Sequence, residues 1–351
     1  MRDLAAREHP DFDSHGYPVR RGEVLSLGLS TREIRRAQKL GYIVIEDVPL
    51  AALGLRMVRL RAPADLDTAT AVSNLRQGSS DNIYEFDHYY GVSGDARPGA
   101  AVPSPAAKSR AGAPLIIGMI DTAVAANFSL NSVALEAHDF TGTASQAGTA
   151  PVAHGTAVAS ILARNGATRL VSANIFSADA RPFASADAIA RAVNWMVARG
   201  VPVINISIAG PSNQLVDRVI ATATARGHIV VAAAGNGGPA AMPAYPAASP
   251  GAVAVTAVDG SGGVYMHANH GDYITIAALG VGVVAAAPDG RWHQFSGTSF
   301  AAPLVAAELA GCVSRTKGHD GKACVARMER GARDLGAPGR DPVYGFGLLV
   351  R

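Results

Sequence analysis

Two hydrophobic patterns divide the chain near residue 110. Beyond it, residues 115–120, 201–206, 228–233 and 252–258 are apolar at nearly every position. Strands read this way when both faces are buried. Between these runs, residues 155–163, 186–198 and 213–225 space their apolar side chains for helices, and the last two stop at Gly200 and Gly227. Unbroken apolar strands alternating with helices predict an α/β fold, a mostly parallel sheet with helices on both faces. The first part reads differently. Residues 23–29, 42–48, 56–61 and 82–89 suit strands, and Ser30-Thr31-Arg32-Glu33 is a capping box that opens a helix to about Lys39. Residues 65–76 suit a second helix. The order is βαββαβ, a small α+β unit.

Charge follows the same division. Residues 1–110 hold 29 charged side chains and residues 111–310 only 18, as a surface-rich small unit followed by a large buried sheet requires. Residues 91–112, rich in Pro, Ala, Gly and Ser, read as a linker. The expected boundaries are 1–21 for an N-terminal extension, 22–90 for the small domain, 91–113 for the linker and 114–351 for the large domain.

Composition narrows the function classes. Apolar residues make up 48% and charged residues 17%, which excludes global disorder. A net charge of +3 on 351 residues makes no basic stripe, so nucleic acid is not expected as the main partner. The longest uncharged run, residues 227–258, contains Pro239, Pro243, Pro246 and Pro250, and no membrane-spanning helix is expected. Met1-Arg2-Asp3-Leu4 lacks the apolar region of a signal peptide. Either the protein stays inside the cell or the sequence begins after a removed signal; the second case favours a periplasmic or secreted protein.

Four residues stand where chemistry gathers, at the carboxyl ends of parallel strands and the starts of helices. Asp121 ends the run 115–120, where a carboxylate is costly unless something needs it. His154 opens a helix, and Gly155 behind it lets another backbone pass close. Asn236, in Ala234-Gly235-Asn236-Gly237-Gly238, follows a buried strand and can aim its amide into the crevice. Ser299 starts a helix with Pro303 in its first turn, so its hydroxyl lies beside free N–H groups. Ala301 breaks the G-x-S-x-G pattern and disfavours an α/β-hydrolase. Taken alone, each has a plain reading as a cap, a turn residue or a packed side chain.

Together, Ile120-Asp121-Thr122, His154-Gly155-Thr156, Ala233-Ala234-Gly235-Asn236 and Gly297-Thr298-Ser299-Phe300-Ala301-Ala302-Pro303 resemble the motifs of the subtilisin-like serine proteases, the S8 family. The resemblance covers about residues 115–349, including Val203-Ile204-Asn205-Ile206-Ser207-Ile208-Ala209-Gly210-Pro211, which is similar to the family's substrate-binding strand. It implies endopeptidase action on a polypeptide substrate through an acyl-enzyme. Ser299 would be the nucleophile, His154 the base, Asp121 its orienting carboxylate, and Asn236 an oxyanion donor. Ser207, Ile208, Ala209, Gly210, Ala234, Gly235 and Ala244 would contact substrate. The βαββαβ unit resembles the inhibitory propeptide of many subtilisins. The resemblance therefore implies a self-inhibited precursor, with the chain's own N-terminal domain as intramolecular inhibitor. In that case Phe86-Asp87-His88-Tyr89-Tyr90 would leave the last strand and lie in the cleft. The alternative is a catalytically silent binding protein whose cleft stays plugged by residues 1–90.

Departures from the family sharpen the expectations. Residues 164–169 hold two arginines and no acid where many subtilisins carry a calcium loop, so no metal or other cofactor is expected. Phe300 replaces a common methionine. Ala209 and Ala244 stand at positions where glycine often lines the specificity pocket, which favours small or medium apolar residues before the cut; a cut after Tyr90 would contradict this. Ala244-Tyr245-Pro246 resembles the family's segment at the base of the specificity pocket, where a cis peptide is common, so the Tyr245–Pro246 bond is expected to be cis. Gly280-Val281-Gly282-Val283-Val284-Ala285 reads as strand rather than a nucleotide loop, and His267 with His270 lacks partner ligands. For Cys312, His319 and Cys324, a disulfide or two thiols is favoured over zinc.

Overall fold

The computed structural model describes residues 10–77, 82–93, 99, 101–103, 114–125, 133–141, 152–177, 183–316 and 320–350. The N-terminal part is an antiparallel sheet of β1 (Asp11–Phe12), β2 (Pro18–Leu27), β3 (Ile43–Leu50), β4 (Leu55–Arg61) and β5 (Ile83–Val92). Helices α1 (Thr31–Lys39) and α2 (Thr68–Arg76) cross between β2 and β3 and between β4 and β5, giving the expected βαββαβ order. The capping box acts as its sequence requires: Ser30 Oγ accepts from the Glu33 N–H, and the Glu33 carboxylate accepts from the Ser30 N–H. Asp67 caps α2 by accepting from the Thr70 N–H. β2 begins at Pro18 rather than residue 23, because a register shift between Val19 and Val24 lets it stay paired with β5.

In the second part the chain forms β6 (Ala101–Val102), β7 (Ile116–Asp121), β8 (Ala134–Asp139), α3 (Ala153–Arg164), β9 (Arg169–Asn174) and β10 (Ala184–Ser185). There follow α4 (Ala186–Ala198), β11 (Val203–Ile206), β12 (Ile208–Ala209), α5 (Gln214–Ala225), β13 (Ile229–Ala233) and β14 (Val253–Val258). The last elements are β15 (Ile276–Leu279), β16 (Val283–Ala286), β17 (Trp292–Phe295), α6 (Thr298–Arg315) and α7 (Gly321–Gly331). The main sheet runs β15-β14-β13-β11-β7-β9-β8, and every pairing in it is parallel. Its strands lack alternation because each face meets helices. Ile204, Ile206, Val230 and Ala232 pack with α4 and α5; Val203, Val231 and Ala233 pack with α3 and α6. The glycine-rich 280–285 segment enters β16, which pairs with β17, and β17 pairs with β6.

The N-terminal sheet is also covered twice. Val24, Val58, Leu60 and Tyr84 face α1 and α2, whereas Leu25, Leu27, Leu50, Leu53 and Met57 join the apolar cluster of α4 and α5. At roughly 1.5–3 kcal/mol per fully buried apolar side chain, and with the attraction of the buried Arg20–Asp187 and Arg59–Asp187 pairs offset by their desolvation, apolar burial dominates the docking of the two parts.

Three details differ from the sequence reading or resolve it. Pro303 lies in the second turn of α6, not the first. It has no N–H for the Ser299 carbonyl four residues earlier, and Ser207 Oγ–H donates to that carbonyl instead, at 3.1 Å. Cys312 and Cys324 form a disulfide joining α6 to α7, while His319 lies outside the described residues. The Tyr245–Pro246 bond is cis, as expected. No helix among the described residues is long and apolar enough to cross a membrane.

Candidate active site

β7 delivers Asp121 to the carboxyl edge of the sheet with no solvent exposure. Its Oδ1 accepts from the Thr122 N–H and from His154 Nδ1, both at 2.7 Å. His154 is the second residue of α3, and the approach depends on Gly155: a methyl there would collide with the Thr122 carbonyl oxygen and lie 2.7 Å from that of Ala123. The Gly155 N–H donates to Thr122 Oγ1 and the Ala125 N–H to Thr156 Oγ1, tying the two motifs together. With Nδ1–H committed to the carboxylate, Nε2 is the basic nitrogen; it is buried and makes no hydrogen bond among the described residues.

Gly297 precedes α6, and Thr298 and Ser299 form its first turn. Asn236 Oδ1 accepts from the Thr298 N–H at 3.1 Å and from Thr298 Oγ1–H at 3.2 Å. Those bonds fix the amide, so its Nδ2 is the outward donor; it too has no acceptor among the described residues. The Gly235 N–H, at a φ of +104°, donates to the same threonine hydroxyl. A methyl at 235 would press on Ala244 Cβ at 2.9 Å, which places Ala244 in the wall beside the amide.

Ser299 departs from the expected geometry. Its Oγ is not hydrogen-bonded to His154; it contacts the Ser93 carbonyl oxygen and the Ser207 carbonyl oxygen, the latter at 3.1 Å. The reason is the path of β5. Residues 86–90 do not leave this strand; it continues through them to Val92, pairing Tyr89 and Tyr90 with β10, then Gly91 and Val92 with Ala209 and Ile208 of β12. The Ser93 N–H donates to the Ser207 carbonyl at 3.2 Å, and the Ser93 carbonyl accepts from the Ser299 N–H at 3.0 Å. A carbonyl in that place competes with His154 for the serine proton.

The other expected contact residues divide. Ser207, Ile208 and Ala209 pair directly with residues 91–93, and Gly210 makes room for the Tyr90 ring. Ala234 instead spends its main chain inside the fold, its N–H on the Val255 carbonyl and its own carbonyl on the Tyr273 hydroxyl.

Sequence reasoning missed the residues that hold β5. Asn213, the N-cap of α5, donates to the Phe86 carbonyl and is 2.9 Å from His88 Nδ1. Glu85 accepts from the Gln214 N–H at the start of α5, and Asp87 from the Asp187 N–H at the start of α4. Arg20 Nε lies 2.8 Å from Asp87 Oδ2. Burial, then the neighbouring Asp187 carboxylate, pushes Asp87 up to about 7 despite Arg20. A carboxylate two residues from another on one strand, facing two helix starts, is the signal that was available.

Comparison with known proteins agrees in family and fold. Residues 8–347 match the group described as the Subtilase family. Subtilisin amylosacchariticus of Bacillus subtilis subsp. amylosacchariticus is 32% identical over 165 residues, 46% of this chain and 42% of that one. Subtilisin BL of Lederbergia lenta is 30% identical over 181 residues, 51% of this chain and 65% of that one. The chain thus spans less than two thirds of either relative. Fervidolysin from Fervidobacterium pennivorans, described as a keratinolytic enzyme related to subtilisin, superposes with a TM-score of 0.75 at 17% identity, over 97% of this chain and 61% of that one. The epidermin leader peptide processing serine protease of Staphylococcus aureus gives 0.68 at 16%, over 94% and 96%. At such identities these two likenesses speak for the fold alone.

Proposed function

Because the chain belongs to the subtilase family, we propose that it is a serine endopeptidase, made as a precursor that its own N-terminal part inhibits. The observation that carries this reading is the Ser93 carbonyl on the Ser299 N–H, with residues 91–92 paired to β12 beside the Asp121–His154 bond. That is the placement a polypeptide substrate needs.

In the reaction, Ser299 Oγ turns from the two carbonyls to His154 Nε2 and attacks the substrate carbonyl. His154 takes the proton and returns it to the leaving amine, while Asp121 steadies the charged imidazole. The Ser299 N–H and Asn236 Nδ2 receive the oxyanion, and water then releases the acyl group. Asn236→Ala is expected to lower kcat by roughly 10²–10³ with KM little changed, a magnitude known from subtilisin and carried over to this relative. Steady-state kinetics on a peptide amide checks it; an equal rise in KM at constant kcat would assign Asn236 to ground-state binding.

Inhibition follows from occupancy. β5 fills the cleft, and the apolar cluster plus the Glu85 and Asp87 contacts hold it there. Asp87 adds a pH dependence. Its carboxyl rises from 3.8 to about 7 on docking, so its contribution is complete below 3.8 and is lost as pH climbs through 7. His88 opposes it: burial lowers its imidazole, so its contribution is present above 6.5 and lost as pH falls. The Asp87 part is isolated by Asp87→Asn in a Ser299→Ala background. The asparagine variant should release β5 to an added protease more slowly than its parent at pH 8, and by a smaller margin at pH 5. Faster release at pH 8 would contradict the assignment.

The Cys312–Cys324 disulfide supports an oxidising, extracytoplasmic setting. The whole reading is tested by incubating the purified chain with an unfolded protein and following released peptides by mass spectrometry. Peptide release that Ser299→Ala abolishes supports it; an unchanged substrate after the N-terminal part has been removed would leave the silent binding protein as the better account.

A further inference from the structure

Asn236 sits in Gly235-Asn236-Gly237-Gly238, where three of four residues are glycine. The φ angles are +104° at Gly235 and +96° at Gly238, and Gly237 is exposed to solvent. Glycine adds the most conformational freedom of any residue, so such a segment does not hold one shape by itself. An amide donor stabilises a developing charge well only when it is aimed before the reaction begins. Thr298 fixes the Asn236 side-chain oxygen and the Gly235 N–H. The main chain that follows Asn236 needs a second anchor.

That anchor is Asn269, which is buried in the loop between β14 and β15. Its N–H donates to the Gly235 carbonyl at 3.1 Å, and its Oδ1 accepts from the Gly237 N–H at 2.7 Å. One residue thus grips the chain immediately before and immediately after Asn236. Asn269 Nδ2 donates to the Met242 carbonyl at 3.3 Å. An N–H on one side and a carbonyl on the other leave one orientation for its amide. The fit is close: a methyl on Gly235 would lie 2.6 Å from Asn269 Nδ2. The same loop extends the grip by one residue each way. The Tyr273 hydroxyl donates to the Ala234 carbonyl at 2.7 Å, and the Gly238 N–H donates to the His267 carbonyl at 2.9 Å.

We propose that Asn269 is a positioning residue for oxyanion stabilisation. It touches no reacting atom; it holds the glycine-rich loop so that Asn236 Nδ2 faces the charge that forms on the substrate carbonyl. The proposal rests on Ser299 and Asn236 acting as assigned, and it goes further by naming what aims the donor.

The effect on rate follows from the geometry. Without the Asn269 side chain, the Gly237 N–H and the Met242 carbonyl turn to water, and the chain around Asn236 gains freedom. The donor must then be oriented during the reaction, which raises the barrier but leaves substrate binding along β12 as it was. Asn269→Ala should lower kcat by roughly 10–10²-fold, less than the loss of the donor itself, with KM changed less than about 2-fold.

The test is a double-mutant cycle on a peptide amide. It compares the purified full chain with Asn269→Ala, Asn236→Ala and the double variant, with active sites counted by fluorophosphonate labelling and melting measured for each. Beside Asn236→Ala, the second substitution should cost less than about 2-fold in kcat, because the group it acts through is gone. Equal losses in both backgrounds, a change in KM alone, or an unchanged kcat in Asn269→Ala overturns the proposal and leaves the protease standing. If Asn269→Ala does not fold, Asn269→Ser takes its place in the cycle. It keeps an acceptor for the Gly237 N–H and loses the donor to Met242, so its loss should be smaller and equally dependent on Asn236. Equal losses from it in both backgrounds overturn the proposal as well. A full-length Asn236→Ala chain as fast as its parent removes Asn236 as the donor, and this proposal with it, but not Ser299. A parent chain that neither turns over peptide nor takes the label overturns the Ser299 assignment itself.

Discussion

Ser299→Ala is expected to lower kcat by roughly 10⁶-fold, the magnitude known for the nucleophile of subtilisin and carried over to this relative. The loss is large because one hydroxyl forms the acyl bond, and neither His154 nor Asn236 can replace it. The fold should survive. The Ser299 main chain keeps its contacts, including the Ser207 Oγ–H donated to its carbonyl and its own N–H on Ser93. Rates on a peptide amide, with melting of both proteins, check the prediction. A loss below about 10²-fold in a folded variant would show that Ser299 is not the nucleophile.

Asp121→Asn should cost about 10⁴-fold in kcat with little change in KM. The carboxylate oxygen accepts from His154 Nδ1 and from the Thr122 N–H in a site closed to solvent. An amide there can turn its NH₂ toward Nδ1, which moves the ring proton to Nε2 and leaves Ser299 without a base. The variant should remain folded and retain its oxyanion donors, so a small residual rate should persist. The check is the kcat-against-KM split: a rise in KM alone would make Asp121 a structural residue.

Much of the site was legible because its parts are local. A carboxylate closing an unbroken apolar run, a His-Gly pair opening a helix and a Gly-Thr-Ser start each point to one end of a parallel sheet. Gly155 was informative for a physical reason, since only hydrogen fits against the Thr122 carbonyl. The parallel sheet was legible for the same kind of reason: helices on both faces remove the polar alternation.

What escaped the sequence depends on pairing between distant segments. Gly91, Val92 and Ser93 have the composition of a linker, and only β12, more than a hundred residues later, makes a strand of the first two. β5 was therefore ended too early, and Tyr90 was weighed as a residue before the cut rather than as a buried strand side chain packed against Gly210. Glu85 and Asp87 had no holding role legible in the sequence because their partners are helix starts at Gln214 and Asp187. The role of Ser207 was partly within reach. Pro303 four residues after Ser299 removes a helical donor, and some other hydroxyl had to fill the gap.

The most direct test of the central claim is covalent labelling of the processed chain with a fluorophosphonate, followed by peptide mapping. The probe reports a serine activated by its neighbours rather than one merely present. The account predicts a single labelled site at Ser299, lost in His154→Ala and blocked while residues 90–93 fill the cleft. Labelling elsewhere, or no labelling once the N-terminal part has been removed, would contradict it.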